Sequence, residues 1–461
     1  MKELVTTAWN TLAFLETTLE HDLKPGITYG SLLPLDVQAL YRTVTADLAI
    51  LLSNERRPAS CPVDTEQAIA RLHSLTRDNH HASQLPVSND ALLTWLVMTA
   101  DVALMEVLVR ISPWFRDSDP DPDNTQRNDQ ELIQILDTAL ITSGGVGKRR
   151  EPILQLISAL QKYIPQQGTS HNPRNHDVVG PVPQIHLLHP VSSWSQPSVL
   201  AFTEYIHHSA NLNHRPQLHY ATTQPRVITN ALDHWPSLSH RPWSNIGYLR
   251  SVVGHGRMVP VEFGSQYIDP QWKQRLIPFT EFVDHILFPD SSSTHPSNNE
   301  TTPTPMYDKP VAYLAQHDLF QQIPALQADI SIPDYCYGLI SETEDTPLEP
   351  LIHWWLGPRG TVSPLHYDRY HNLLVQVVGY KYVRLYSPLE SAKLYPFTDD
   401  SNLSNTSRVD VRRSDVGQFP AFAQASYVEC LLKPGEMLYI PPYWWHYVES
   451  LSVSCSLSFW F

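Results

Sequence analysis

The 461-residue chain sets 32 Lys and Arg against 47 Asp and Glu, giving a formal net charge of -15 with no dense basic run. That balance repels a phosphate backbone, so direct nucleic-acid binding is not expected, whereas a basic protein or peptide is an acceptable partner. Four scattered cysteines form no CxxC pair and are too sparse for a disulfide scaffold or a zinc cluster, which points to a reducing intracellular compartment, nuclear or cytoplasmic.

At roughly 150 residues per domain the length predicts two or three units, and two is the working count. The stretch from Met1 to Leu23 has apolar residues at helical spacing and carries Glu3, Glu16 and Glu20, so it reads as part of the mature protein rather than a signal peptide. Further apolar blocks recur at the same spacing, as in Leu40, Val44, Leu48, Leu51 and in Ile69, Leu72, Leu75, predicting an α-helical bundle over 1–165. The most apolar run, Leu92 to Ile111, is interrupted by Asp101, Glu106 and Arg110, and no membrane span is expected from it. Residues 116–128 are polar and Pro-bearing, as a mobile loop would be, and the Lys148, Arg149, Arg150 triplet is only a faint nuclear signal. Residues 166–183 lack periodicity and are rich in breakers, which predicts a linker.

Beyond the linker, over 184–461, short β-type runs alternate with Pro, Asn, Asp and Ser, and a polar run at about 290–306 reads as a disordered insertion. NLLVQVVGYKYVRLYSP contains two such runs meeting at Gly379 and Tyr380, which predicts a tight hairpin. At the C-terminus Ser452, Ser454, Ser456 and Ser458 alternate with Val453, Cys455, Leu457 and Phe459, so one face is buried while the other lines something polar. Many short strands around a polar interior predict a double-sheet jelly roll, so the fold class is α+β, a helical bundle followed by a cupin-type double-stranded β-helix.

The chemistry concentrates in three places. In TVSPLHYDRYHN, His366 and Asp368 are two apart and project from the same face of an extended strand. IPPYWWHYVESL offers His446 as a third ligand from another β-rich run, and two imidazoles with one carboxylate on one side of an ion leave positions open for a cosubstrate and dioxygen, as in non-haem Fe(II) oxygenases. On the strand after Gly379, Lys381, Val383 and Leu385 share the inner face, and an inward ammonium calls for an anion such as a dicarboxylate. Asn372 and Ser363 are candidate donors to that anion, although Ser363 has the opposite strand parity to His366 and needs Pro364 or a bulge to turn it inward. Tyr267 is a candidate phenol for the same carboxylate, and Trp355 and Trp460 are candidate pocket walls. His353 and His371 have no carboxylate at matching spacing and are rejected as ligands.

SPLHYDRYHN, GYKYVRLYSP and IPPYWWHYVESL followed by SLSFWF resemble the jumonji C family of Fe(II)- and 2-oxoglutarate-dependent oxygenases, and the likeness extends over roughly Ile185 to Phe461. The resemblance implies that His366, Asp368 and His446 bind Fe(II), that Lys381, Tyr267, Ser363 and Asn372 hold 2-oxoglutarate with Trp460 nearby, and that O2 is consumed with succinate and CO2 as co-products. Arg369 and Tyr367 depart from the family's usual pattern. The family is associated with hydroxylation of arginyl residues and with removal of methyl groups from histone lysine. Hydroxylation of a protein side chain is preferred, because four scattered cysteines cannot build the zinc-based reader modules of chromatin demethylases. An arginyl substrate would want an acidic and aromatic pocket, with Asp233, Glu262 and Trp355 as its candidate walls. Two competing readings are a non-catalytic scaffold and a zinc or manganese cupin that would not need Lys381.

Overall fold

The structure, a computed structural model, describes residues 2–18, 22–24, 27–28, 33–53, 65–82, 89–115, 129–164, 180–207, 220–264, 272–288, 312–338, 347, 349–398, 403–415 and 417–461. The loop expected at 116–128, most of the expected linker, and the insertion at about 290–306 lie outside these residues. The chain divides into two compact units, one comprising Met1–Ser170 with Gly254–Met258 and the other His171–Val253 with Val259–Phe461.

The first unit is built on the helices Lys2–Thr17, Leu35–Leu52, Thr65–Ala82, Asn89–Ile111, Asp129–Ser143 and Arg150–Tyr163, with a short pairing of β1 (Asp22–Lys24) and β2 (Ile27–Thr28). Apolar side chains at helical spacing form its core: Leu4, Ala8, Leu12 and Leu15 from one helix meet Val37, Tyr41, Val44 and Leu48 from the next. Asn89–Ile111 is long and apolar enough, by length and composition, to cross a membrane. In the structure it is the central helix of the bundle, with Val97, Met98, Leu104, Leu108 and Ile111 buried.

The charges that interrupt this helix have partners. Asp101 is completely buried and accepts from Arg149 Nε at 3.0 Å and Nη2 at 3.1 Å, while Arg149 also donates to the Thr18 hydroxyl and the Gly147 carbonyl. Arg149 itself is 0% exposed, so the basic triplet does not present three cations to solvent. Glu106 sits at the edge, bridging His73 and Arg110.

The second unit is a double-sheet barrel with short helices packed outside it. One sheet has nine strands in the order β3 (Ser193–Ser195), β4 (Arg226–Thr229), β13 (Met437–Ile440), β10 (Asn372–Val378), β15 (Ser454–Trp460), β8 (Leu351–Gly357), β7 (Ala312–His317), β5 (Met258–Phe263), β6 (Lys273–Pro278). The other has four: β12 (Tyr427–Leu432), β11 (Lys381–Tyr386), β14 (Trp445–Ser450) and β9 (Val362–His366). The jelly-roll architecture read from the sequence is present.

The expected hairpin is not. β10 pairs with β13 and β15, whereas β11 pairs with β12 and β14, so the chain crosses from one sheet to the other at Gly379 and Tyr380. Gly379 has φ +72°, and a Cβ there would overlap the Val453 carbonyl and the Ser452 hydroxyl, so the glycine serves a tight corner of the barrel. On β15, Cys455, Leu457 and Phe459 join the apolar core of the larger sheet, while Ser454, Ser456 and Ser458 face a polar interior and are buried as well. Gln376 bonds Ser454 at 2.8 Å and Ser456 at 2.6 Å there. Alternation was the correct signal; with the barrel closed, both faces are out of solvent.

Removing one member of a buried ion pair leaves an uncompensated charge and costs about 3–5 kcal/mol. Asp101→Ala is therefore expected to lower stability by that amount in chemical denaturation, by stranding Arg149. A loss below about 1 kcal/mol, as for an exposed pair, would contradict this account of the bundle.

Candidate active site

Antiparallel pairing of β9 with β14 puts His366 directly opposite His446, with ring centroids 4.2 Å apart. Asp368 follows two residues later, just past the strand end, and its Oδ2 lies 4.0 Å from His366 Nε2 and 3.6 Å from His446 Nε2. All three ligand atoms fall within 4.8 Å of one another. Each imidazole bonds a nearby backbone carbonyl through Nδ1, His366 to Pro364 at 2.7 Å and His446 to Trp444 at 3.0 Å. With Nδ1–H donated to the backbone, each ring is oriented so that Nε2 is aimed at the shared space. Burial, assisted by the facing His366 ring, pulls His446 down to about 4, so it stays neutral and able to ligate.

The turn bearing Asp368 is tied back to β14. Tyr443 N–H donates to the Asp368 carbonyl at 2.7 Å, from a backbone with φ +64° that a tyrosine rarely adopts. Tyr367, one of the departures from the family pattern, packs against Trp445 at 4.8 Å and Tyr443 at 5.7 Å and is not among the residues lining the cavity; Arg369 is exposed.

Lys381 stands across the cavity on β11, facing inward as its parity requires and only 1% exposed. Its Nζ donates to the Tyr313 hydroxyl at 3.0 Å, and no carboxylate pairs with it among the described residues. Burial lowers Lys381 to about 7 and pushes the Tyr313 phenol well up, so the phenol stays protonated beside it. Ser363 also lines the cavity: the β9–β14 register shifts between His446 and Val448, and the extra residue on β9 is the bulge that turns Ser363 inward. Asn372 opens β10, is buried, and its Oδ1 lacks a partner among the described residues. Trp355 and Trp460 wall the cavity, Trp355 donating to Ser458 Oγ at 2.9 Å while Trp460 Nε1 has no partner among the described residues. Leu374, Ile440 and Val448 complete the lining.

Not every sequence candidate arrives here. Tyr267 lies outside the described residues; among those described, the phenol bonded to the lysine is Tyr313, which the sequence reading missed because nothing in VAYLAQHD distinguishes it from a core tyrosine. Asp233 is exposed in a turn after β4 and does not line the cavity. Glu262 is half-buried on β5 directly opposite Tyr313, outside the lining, with burial raising its carboxyl and a bond from Trp272 opposing that rise. His353 packs on Trp460 at 4.6 Å and His371 bonds Tyr439 at 2.8 Å; neither joins the ligand cluster.

A family model described as a cupin-like domain matches residues 214–461. The chain belongs to the cupin-like JmjC family. It is 46% identical over 254 residues to a Xenopus tropicalis protein named lysine-specific demethylase 8, covering 55% of this chain and 51% of that one. It is 43% identical over 242 residues to the Arabidopsis thaliana lysine-specific demethylase JMJ30, covering 52% of this chain and 51% of that one. A human bifunctional peptidase and (3S)-lysyl hydroxylase JMJD7 is 24% identical over 263 residues, covering 52% and 77%. The chain spans about half the length of the first two of these relatives.

With a folded-state value of about 7, Lys381 binds fewer protons than the solvated lysine of the unfolded chain, which titrates near 10.4. Between those two values stability therefore rises with pH, and the buried ammonium destabilises most at or below pH 7. Lys381→Met is expected to flatten that rise and to melt higher than wild type near neutrality in thermal scans across the range. An unchanged slope with a lower melting temperature would contradict the placement of the amine.

Proposed function

We propose that the chain is an Fe(II)- and 2-oxoglutarate-dependent protein hydroxylase acting on arginyl side chains. The observation that carries the reading is the cluster of His366, Asp368 and His446 with a buried ammonium across the same cavity. The donor set fits the metal: two imidazoles and a carboxylate gathered on one side suit a divalent iron with open positions. The opposite wall fits a dicarboxylate, since among the described residues Lys381 has no acidic partner and the Asn372 amide oxygen is unsatisfied, and a half-turn of that amide presents N–H to a carboxylate. A zinc or manganese cupin without cosubstrate leaves that ammonium unexplained.

When bound, iron and 2-oxoglutarate supply the oxidation of an unactivated C–H bond by O2, with succinate and CO2 as co-products. The residues of the chain bind, orient and exclude water. Lys381 and the Tyr313 hydroxyl would hold a carboxylate of the cosubstrate, with Ser363 and Asn372 lining the same cavity. Backbone bonds at Pro364 and Trp444 fix the ring orientations, and the Tyr443 bond fixes the Asp368 turn. Trp355 and Trp460 supply apolar walls that keep solvent from the reacting side chain.

For the substrate, Glu262 lies opposite Tyr313, which is 5.9 Å from Trp355, so a carboxylate and an aromatic face flank one edge of the site. A planar guanidinium suits that pair better than a compact ammonium. Removal of methyl groups from lysine is the second reading, favoured by the names of two relatives.

The test is mass spectrometry of basic peptides incubated with Fe(II), ascorbate and 2-oxoglutarate, with His366→Ala as control. Gain of one oxygen on arginine, with succinate formed in step, is the expected result. Formaldehyde release with loss of a methyl group would replace it by the second reading, and absence of turnover above the control across a broad panel would favour a scaffold.

A further inference from the structure

We propose that Lys381 is a carbon dioxide-binding residue, its amine forming a reversible carbamate inside the cavity that blocks the dicarboxylate site until the gas leaves. The inference goes beyond the proposed activity, because the adduct itself needs only the lysine and its surroundings.

An ordinary surface lysine cannot do this near neutral pH, since its nitrogen is protonated and has no lone pair to offer. Lys381 differs in three respects that the geometry sets. The residue is 1% exposed, yet it borders a cavity, so a small apolar gas can reach an amine that bulk water does not surround. Its neighbour at 3.0 Å is a phenol rather than a carboxylate, so among the described residues no carboxylate holds the proton on the nitrogen. Burial lowers the amine to about 7, in line with that environment, and leaves a large share as free base.

The same surroundings accept the product. The nitrogen lone pair forms an N–C bond to carbon dioxide, one C–O π pair becomes an oxyanion, and the displaced proton passes to solvent; nothing is oxidised or reduced. The new anion would lie where the distal carboxylate of a dicarboxylate would lie, in a cavity that the Tyr313 and Ser363 hydroxyls line as donors and where a half-turn of the Asn372 amide adds an N–H. Under the proposed activity carbon dioxide is released within this cavity, so the cap would act as product inhibition read through the cosubstrate site.

The experiment uses the full chain under carbon dioxide or argon, at about pH 6 and about pH 8 to either side of the amine's titration, followed by trapping with triethyloxonium and peptide mass spectrometry. An ethoxycarbonyl group on Lys381, far above its level on surface lysines, is expected to rise with pH, vanish under argon and be suppressed by N-oxalylglycine, a dicarboxylate mimic. With half of the protein capped, the apparent Kd for N-oxalylglycine should rise about twofold. Absence of the group on Lys381, or a level equal to surface lysines, would overturn the inference. Full labelling indifferent to N-oxalylglycine would sustain the carbamate and overturn the dicarboxylate reading instead. Lys381→Arg should lose both label and gas sensitivity; should that variant fail to fold, the wild-type comparison with argon and with N-oxalylglycine carries the test.

Discussion

The pairing of β9 with β14 is the constraint on which the site depends. It sets His366 opposite His446, brings Asp368 to the strand end between them, and through its bulge swings Ser363 into the same space. β11 lies on the other edge of β14 with Leu385 opposite His446, so Lys381, four residues back along β11, sits toward the far end of the cavity in a fixed relation to the ligands. A one-residue slip in either ladder would carry these side chains to the other face. The two imidazoles and the lysine are positioned by sheet registers, which hold side chains more closely than loops do.

The site is built at a cost to the fold. A buried amine with a neutral partner, a buried His446 held neutral, and polar atoms on Asn372 and Trp460 that are unpaired among the described residues are features a stability-driven core avoids. The surrounding barrel offsets them with fully satisfied pieces, such as Gln376 with Ser454 and Ser456, and with a large apolar layer outside the sheet. Where sequence rules are broken inside an otherwise consistent fold, a binding site is the usual physical reason.

Much of this was legible in the residues, and what was not has identifiable causes. The His-x-Asp spacing and the alternation around Lys381 are period-two facts, and the structure places those side chains as that period requires. Ser363 was recognisable as needing a bulge, which the β9–β14 register supplies. The junction at Gly379 carries the composition of a hairpin, but whether two successive strands pair or diverge into opposite sheets is decided by long-range partners that a local window does not contain. Tyr313 was missed and Asp233 was misplaced for the same reason: one phenol or one carboxylate looks like any other until topology shows which lines the cavity. In the helical unit, Asp101 read as an interruption of an apolar helix and proved to be the partner of a buried arginine 48 positions away.

The proposed activity requires one cavity to take a metal on one wall and a dicarboxylate on the other, and the most direct measurement is calorimetric binding of N-oxalylglycine with and without Mn(II) in place of iron. Metal-dependent binding in wild type that falls by at least about tenfold in Lys381→Met, at unchanged metal affinity, is the result the account requires. Binding that ignores the metal, or that survives loss of the lysine, would contradict it.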